Sequence, residues 1–295
     1  MTWLKRAAVA ATVATGALTA CAPQGDLTVQ RELTVAERIQ LQQAEERFTR
    51  ACMAREGFPY WIQAPLSVEE RQGFGFVLDD VGWATRNGYG SRIQQRVLDA
   101  KKSNANLRYR GSLTKARLAR YTAALSGGPG APVLSVALPA GGTISSLLGG
   151  CQSKAQEELY GDRETWFRVD KIATNLSPLY LPDLVEDERF STALRAWSRC
   201  MGRKGHTYAN PSEIRSALPR LTKGLTSAKA YAVEIRLAVA EATCARTSAL
   251  ADTGRALQRE YRDRASKPYT ADLALHSRLE HAALARAGQL TGTGA

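Results

Sequence analysis

Residue types that carry metal or nucleophile chemistry are sparse in this chain. Its 295 residues include three histidines and five cysteines. The motifs G-x-S-x-G, G-x-x-x-x-G-K-[ST] and H-E-x-x-H do not occur, which argues against a nucleophile elbow, a phosphate-binding loop and a zinc peptidase. His276 and His281 are about 140° apart around a helix and cannot ligate one ion from one face. We therefore expect no metal and no cofactor.

Two sets of residues have spacings that enzymes use. Ser112 and Lys115 match the S-x-x-K spacing of penicillin-recognising serine enzymes, but the Ser-x-Asn and Lys-Thr-Gly elements of those enzymes are absent. We predict instead that Ser112 is the N-cap of a helix. A glycan hydrolase needs two carboxylates in a groove. Two acidic pairs precede tryptophans, Asp79 with Asp80 and Asp162 with Glu164. Solvated turn positions are the simpler interpretation of these acids.

The N-terminus has the pattern of a secretory signal. Residues 1–20 contain Lys5 and Arg6, followed by small or apolar residues without charge. Leu18-Thr19-Ala20-Cys21 resembles the lipobox of bacterial lipoprotein precursors. The resemblance implies cleavage before Cys21, a diacylglyceryl thioether on its thiol, and anchoring at the extracytoplasmic face of the cell membrane, with residues 21–32 as lipidated cysteine and tether. Loss of the signal lowers the formal net charge from +12 to +10.

Basic residues concentrate in one segment. Seven cations occur between residues 101 and 125 without an acidic residue: Lys101, Lys102, Arg108, Arg110, Lys115, Arg117 and Arg120. In a cytoplasmic protein this segment would favour nucleic acid. The lipobox favours phospholipid headgroups or anionic wall polymers instead, and no nucleic acid. An equally good interpretation of the segment is a solvated helix face whose charge is balanced by the acids of residues 183–188.

The four remaining cysteines are an even number, which is typical of disulfides formed outside the cytoplasm. Three connectivities are possible. Residues 52–60 (CMAREGFPY) and 200–208 (CMGRKGHTY) share five residue types at matched positions, and each of the two internal methionines follows a cysteine. We interpret the segments as two copies of one unit. On that basis we predict disulfides between Cys52 and Cys151 and between Cys200 and Cys244.

The expected fold is mainly α, a helical body of two disulfide-stapled repeat units with a small β-hairpin insertion in the first. Thr34 and Glu37 fit a capping box at the start of a helix. Residues 133–138 and 143–148 flank a turn and predict the hairpin. The glycine and aromatic residues at 73–76 and 83–90 do not fit a helix. Further helices are expected within residues 112–125, 227–264 and 270–287. The predicted organisation is a first unit at 33–176, a linker at 177–186, a second unit at 187–290 and a disordered tail at 291–295.

Taken whole, the chain loosely resembles secreted lipoproteins of high-GC Gram-positive bacteria, and that resemblance implies no activity. We expect a non-enzymatic binding or accessory module of the cell envelope, with an envelope protein as one candidate partner. A cell-wall hydrolase is the alternative. A solute-binding receptor for a transporter is a third hypothesis, which the absence of alternating strand and helix patterns disfavours.

Overall fold

The computed structural model describes residues 29–292, and most of that range is helical, which confirms the mainly α prediction. The predicted signal peptide, Cys21 and residues 293–295 of the predicted tail lie outside the described residues.

The elements up to residue 174 are α1 (Val35–Arg55), α2 (Val81–Asn87), α3 (Ser91–Lys102), α4 (Ala105–Ser112), α5 (Lys115–Ser126), β1 (Val133–Ala137), β2 (Thr143–Leu147), α6 (Gly150–Tyr160) and α7 (Arg163–Thr174). Then follow α8 (Leu181–Glu186), α9 (Glu188–Arg203), α10 (Pro211–Thr222), α11 (Ser227–Thr247), α12 (Leu250–Ser266) and α13 (Thr270–Gly292). No helix within residues 29–292 combines the length and the apolar character needed to cross a bilayer.

Local sequence signals set several boundaries as predicted. The capping box at α1 is present, because Glu37 N–H donates to Thr34 Oγ1 at 3.2 Å and Thr34 N–H donates to Glu37 Oε2 at 2.7 Å. The hairpin is also present, with β1 and β2 antiparallel and Val133 opposite Leu147.

Outside the basic segment, three boundaries differ from the sequence prediction. Residues 81–87 form α2, because Asp80 caps the helix and the break that the glycines predict falls only at Gly88. The predicted linker at 177–186 is a 3-10 turn followed by α8, since proline is tolerated in a first helical turn, where its missing N–H has no partner. The predicted helix over 227–264 divides into α11 and α12, with Ala249 in the left-handed region at φ 56°.

Two disulfides join Cys52 to Cys151 and Cys200 to Cys244, as the sequence predicts. The helices α1 and α9 also end in the same way. In each, the residue five positions after the methionine donates its N–H to the methionine carbonyl, at 2.9 and 3.0 Å, and a glycine at positive φ turns the chain. Met53 and Met201 are fully buried.

The similarity between the two copies does not extend to the second helix of each disulfide. Cys151 is the second residue of α6, whereas Cys244 lies in the last turn of α11. The repeat is therefore a shared helix ending, placed against different partners.

Packing also crosses the predicted linker at 177–186. The buried residues between positions 77 and 93 pack with α9, α11 and α12 in one core cluster. Conversely, α13 packs on α1, α6 and α7, and its buried Ala283 and Ala287 belong to the same core cluster as Leu41 and Tyr160. These two cores thus contain residues from both halves of the chain, whereas the cluster around the first disulfide contains only residues of the first half.

Candidate functional site

The seven cations of the basic segment are exposed on three consecutive short helices. Lys101 and Lys102 end α3, Arg108 and Arg110 lie in α4, and Lys115, Arg117 and Arg120 lie in α5. We call these seven residues the α3–α5 cationic surface. Residues 100–156 contain no aspartate or glutamate, so the acid nearest to these cations along the chain is Asp99. An ion pair does form with Asp99, whose Oδ1 lies 3.9 Å from Lys102 Nζ.

The turns between these helices follow from side-chain capping. Asn104 caps α4 and Thr114 caps α5 through their side-chain oxygens. The prediction that Ser112 caps a helix is therefore wrong. Ser112 is the last residue of α4, and its hydroxyl donates to the Tyr109 carbonyl at 2.8 Å. Because Ser112 and Lys115 belong to different helices, their spacing does not place them one turn apart as in a serine-lysine pair.

An aromatic column connects the cationic surface to the first disulfide. Trp61 is 41% exposed, and its backbone is held on both sides by the Asn106 amide, at 2.9 and 2.8 Å. Its ring centroid is 5.7 Å from that of Tyr109, which is 5.7 Å from that of Tyr121. Tyr121 is fully buried, 5.4 Å from the Phe58 ring and in the same core cluster as the first disulfide. The exposed indole therefore has a rigid support.

The four acids considered for glycan hydrolysis do not form a catalytic pair. Asp80 caps α2 and Asp162 caps α7. A backbone hydrogen bond from α2 lowers the pKa of the Asp80 carboxyl, and the hydroxyl and backbone N–H of Thr165 lower that of Asp162. Asp79 is ion-paired to α12 at 2.6 Å, and Glu164 is exposed. A glycosidase acid needs a raised pKa, which is the opposite of what the caps produce.

The two histidines of α13 make structural contacts. His276 stacks on Trp166 with ring centroids 5.2 Å apart, and its nitrogens lie 3.8 Å from Asp170 and 3.7 Å from Glu280. His281 Nε2 lies 3.0 Å from a backbone carbonyl oxygen before α1. Within residues 29–292, no group of three or more histidine, cysteine or acidic side chains is placed to hold a metal ion.

A buried carboxylate in α11 is a feature that sequence reasoning missed. Glu241 has 0% exposure and accepts hydrogen bonds from Leu78 N–H at 3.0 Å, Tyr89 O–H at 2.7 Å and Arg215 Nη1 at 3.1 Å. Burial raises the pKa of the Glu241 carboxyl, and these donors oppose that shift. A sequence signal was available, because Glu234 and Glu241 are seven positions apart and share a face of an alanine-rich helix.

A groove of about 760 Å³ opens beside this network. Leu218, Pro219 and Tyr231 line it, and the Arg92 guanidinium lies 3.5 Å from the Tyr231 ring centroid. Glu234, also in the lining, accepts from the backbone N–H groups of Tyr89 and Ser91 at 2.7 and 3.1 Å and so fixes the start of α3. The Glu234 carboxylate is therefore hydrogen-bonded to the protein's own backbone.

Comparison with known proteins adds no relative to this description. No protein-family model, no curated protein and no solved structure matches the chain.

Proposed function

We propose that the chain is a lipoprotein anchored through Cys21, and that its body serves as a binding or accessory module on the outer face of the cell membrane. The lipobox at residues 18–21 supports the anchor, and the two disulfides fit an oxidising compartment. Thr34, the N-cap of α1, lies thirteen positions after Cys21. A chain of that length spans at most about 45 Å, which keeps the body near the bilayer.

The α3–α5 cationic surface is the observation that carries the proposed contact, and anionic phospholipid headgroups are the partner that fits it best. Leu107 of α4 is 51% exposed, and Trp61, whose ring packs on that of Tyr109 in α4, is 41% exposed. Tryptophan is enriched at membrane interfaces, where its ring meets both acyl chains and headgroups. A phosphate-bearing wall polymer would use the same cations but gains nothing from the exposed apolar side chains.

The acids of residues 183–188, which could balance the charge of this surface, form no ion pair with it among the described residues. Asp187 is paired with Arg189 at 2.8 Å. This geometry favours an anionic partner over a balanced, solvated helix face.

The expected strength of the contact follows from the number of cations. Each lysine or arginine close to an anionic membrane contributes about 1 kcal/mol, and the attraction falls off within a Debye length of about 8–10 Å. Replacing four cations should therefore remove up to about 4 kcal/mol. Since about 1.4 kcal/mol corresponds to a tenfold change, the affinity should fall at least tenfold even if half of these contacts form.

Vesicle co-sedimentation of residues 22–295, which lack the lipid, tests this contact. We expect binding to phosphatidylcholine vesicles that contain phosphatidylglycerol, weakened by added salt, and little binding to pure phosphatidylcholine. The test variant carries four changes to Gln, at Lys101, Lys102, Arg108 and Arg110. A matched control carries the same change of charge on exposed residues of the second unit, at Arg199, Arg203, Lys223 and Lys229.

The two variants should separate clearly. The test variant should lose at least about tenfold in affinity and the control much less, because only the first alters the proposed contact. Equal losses of affinity in both variants would mean that binding depends only on net charge. That result would contradict the assignment of the contact to the α3–α5 cationic surface. If the protein is retained by purified cell-wall polymer but not by vesicles, the anionic partner is a wall polymer and not a phospholipid.

A further inference from the structure

A second, polar pocket of about 380 Å³ lies between α1, α6, the end of β2 and the start of α7. Its volume falls within the range of about 300–1,000 Å³ typical of small-molecule sites. It shares no lining residue with the groove beside Glu234. Most of its lining is polar, including Glu45, Glu46, Ser146, Gln152, Gln156 and Arg163.

The guanidinium of Arg163 lacks the partners that a buried cation needs. The residue is 8% exposed, and its Nε and Nη1 atoms are buried without a hydrogen-bond partner in the part of the chain that the structure describes. The ring of Phe167, with its centroid 5.3 Å away, offers only a weaker contact. The carboxyl groups of Glu45 and Asp170 act on the Arg163 charge but accept no hydrogen bond from Nε or Nη1. Buried donors without an acceptor cost free energy, so acceptors supplied by a ligand would stabilise this arrangement.

Two carboxyl groups of α1 face the same space. Glu46 accepts a hydrogen bond from the Tyr60 hydroxyl, with oxygen distances of 3.1 and 3.2 Å. Glu45 and Glu46 are both half-buried, and this burial raises the pKa of their carboxyl groups. The pocket thus offers acceptors beside the donors of Arg163 and Gln152.

The charge balance selects the class of ligand. Two carboxyl groups beside one guanidinium disfavour a phosphate or carboxylate, and the guanidinium disfavours a simple cation. A hydroxyl group is both a donor and an acceptor and can satisfy either side of the pocket. We propose that this pocket binds a neutral sugar residue, a site independent of the lipid anchor.

The placement of the acids indicates binding without hydrolysis. Glu45 and Glu46 are consecutive in α1, so their side chains leave the helix about 100° apart. A glycosidase requires two carboxyl groups facing each other across the scissile bond. The pocket therefore has the groups to hold a sugar but not the pair to cleave its linkage.

Calorimetry and saturation-transfer NMR on the full chain test the site, with both disulfides formed and a detergent that carries no sugar headgroup. The probes are glucose, galactose, mannose, arabinose and N-acetylglucosamine, with inorganic phosphate as the anionic comparison. Gln152→Leu alters an exposed lining residue and should preserve folding, and Arg163→Met removes the unpartnered guanidinium. Gln94→Leu makes the same change at the groove beside Glu234 and is the matched control.

We expect saturable binding of at least one sugar in the millimolar range or tighter, and none of phosphate. Gln152→Leu should weaken that binding at least about tenfold, Arg163→Met should abolish it, and Gln94→Leu should leave it unchanged. The absence of saturable binding by every sugar in the panel would overturn the proposal. So would binding of phosphate alone, or sugar binding that Gln152→Leu leaves intact.

Discussion

Removal of the Glu241 carboxylate should destabilise the core formed by α9, α11 and residues 77–93. In Glu241→Ala, Leu78 N–H and the Tyr89 hydroxyl lose their acceptor, and each buried unsatisfied group costs about 1–3 kcal/mol. The Arg215 side chain is 33% exposed, so water partly replaces the lost ion pair. We expect a loss of about 3–5 kcal/mol. Glu241→Gln retains one acceptor oxygen and should lose about 1–3 kcal/mol.

Urea unfolding followed by tryptophan fluorescence measures these losses, because Trp83 and Trp197 are buried in the same core as Glu241's partners. Glu157→Ala is the control, since Glu157 is an exposed glutamate on α6 and should change the free energy of unfolding by no more than about 0.5 kcal/mol. A loss below about 1 kcal/mol in Glu241→Ala would refute the reasoning, because it would mean that the donors find other acceptors.

The same carboxyl group predicts a pH dependence. Burial raises its folded-state pKa above the ordinary value of 4.5, so the folded protein binds this proton more tightly than the unfolded chain does. The stabilisation that comes from this tighter proton binding is fully present below pH 4.5. It is lost as the pH rises through the folded-state pKa of Glu241. The free energy of unfolding of the unaltered protein, minus that of Glu241→Gln, should therefore fall across this window. A difference that grows with pH would contradict the assignment.

Three further predictions concern the first unit. The double variant Cys52→Ala/Cys151→Ala opens a loop with a sequence separation of 99 residues. It should lower the free energy of unfolding by up to about 4.7 kcal/mol in denaturant titration, and a change below about 1 kcal/mol would argue against a structural role. Gly150→Ala places a Cβ 2.6 Å from backbone atoms of residues 125–127, whereas Gly161→Ala, at a similar φ, meets no atom within 4 Å. Urea titration should show the first to be less stable by at least about 2 kcal/mol, and equal stabilities would contradict the close packing. Trp61→Ala should weaken binding to anionic vesicles several-fold with little change in thermal midpoint, and unchanged binding would remove the indole from the contact.

Short-range signals account for the part of the fold that the sequence predicts. The Thr34–Glu37 capping box and the hairpin depend on residues close together in the chain, and both are present. The disulfide pairing was predicted because residues 52–60 and 200–208, which match at five positions, were interpreted as copies of one unit with one disulfide in each unit. Where two capping residues compete at close range, as Ser112 and Thr114 do, local preference does not choose between them.

Long-range packing determines the rest. Glu241 meets Leu78 across 163 positions, and only the folded arrangement of α11 reveals that its carboxylate is buried. The pocket around Arg163 combines residues of α1, β2, α6 and α7, none of which marks a site by its own sequence pattern. The exposed cations were identifiable from composition, but the aromatic column that supports Trp61 was not.

Mass spectrometry of the N-terminal peptide of the protein isolated from its membrane fraction tests the central claim most directly. We predict that residues 1–20 are absent and that the mature chain begins at Cys21 carrying a diacylglyceryl thioether. Cys21→Ala should shift the protein out of the membrane fraction. A mature chain that retains residues 1–20, or that contains an unmodified Cys21 thiol, would contradict the account.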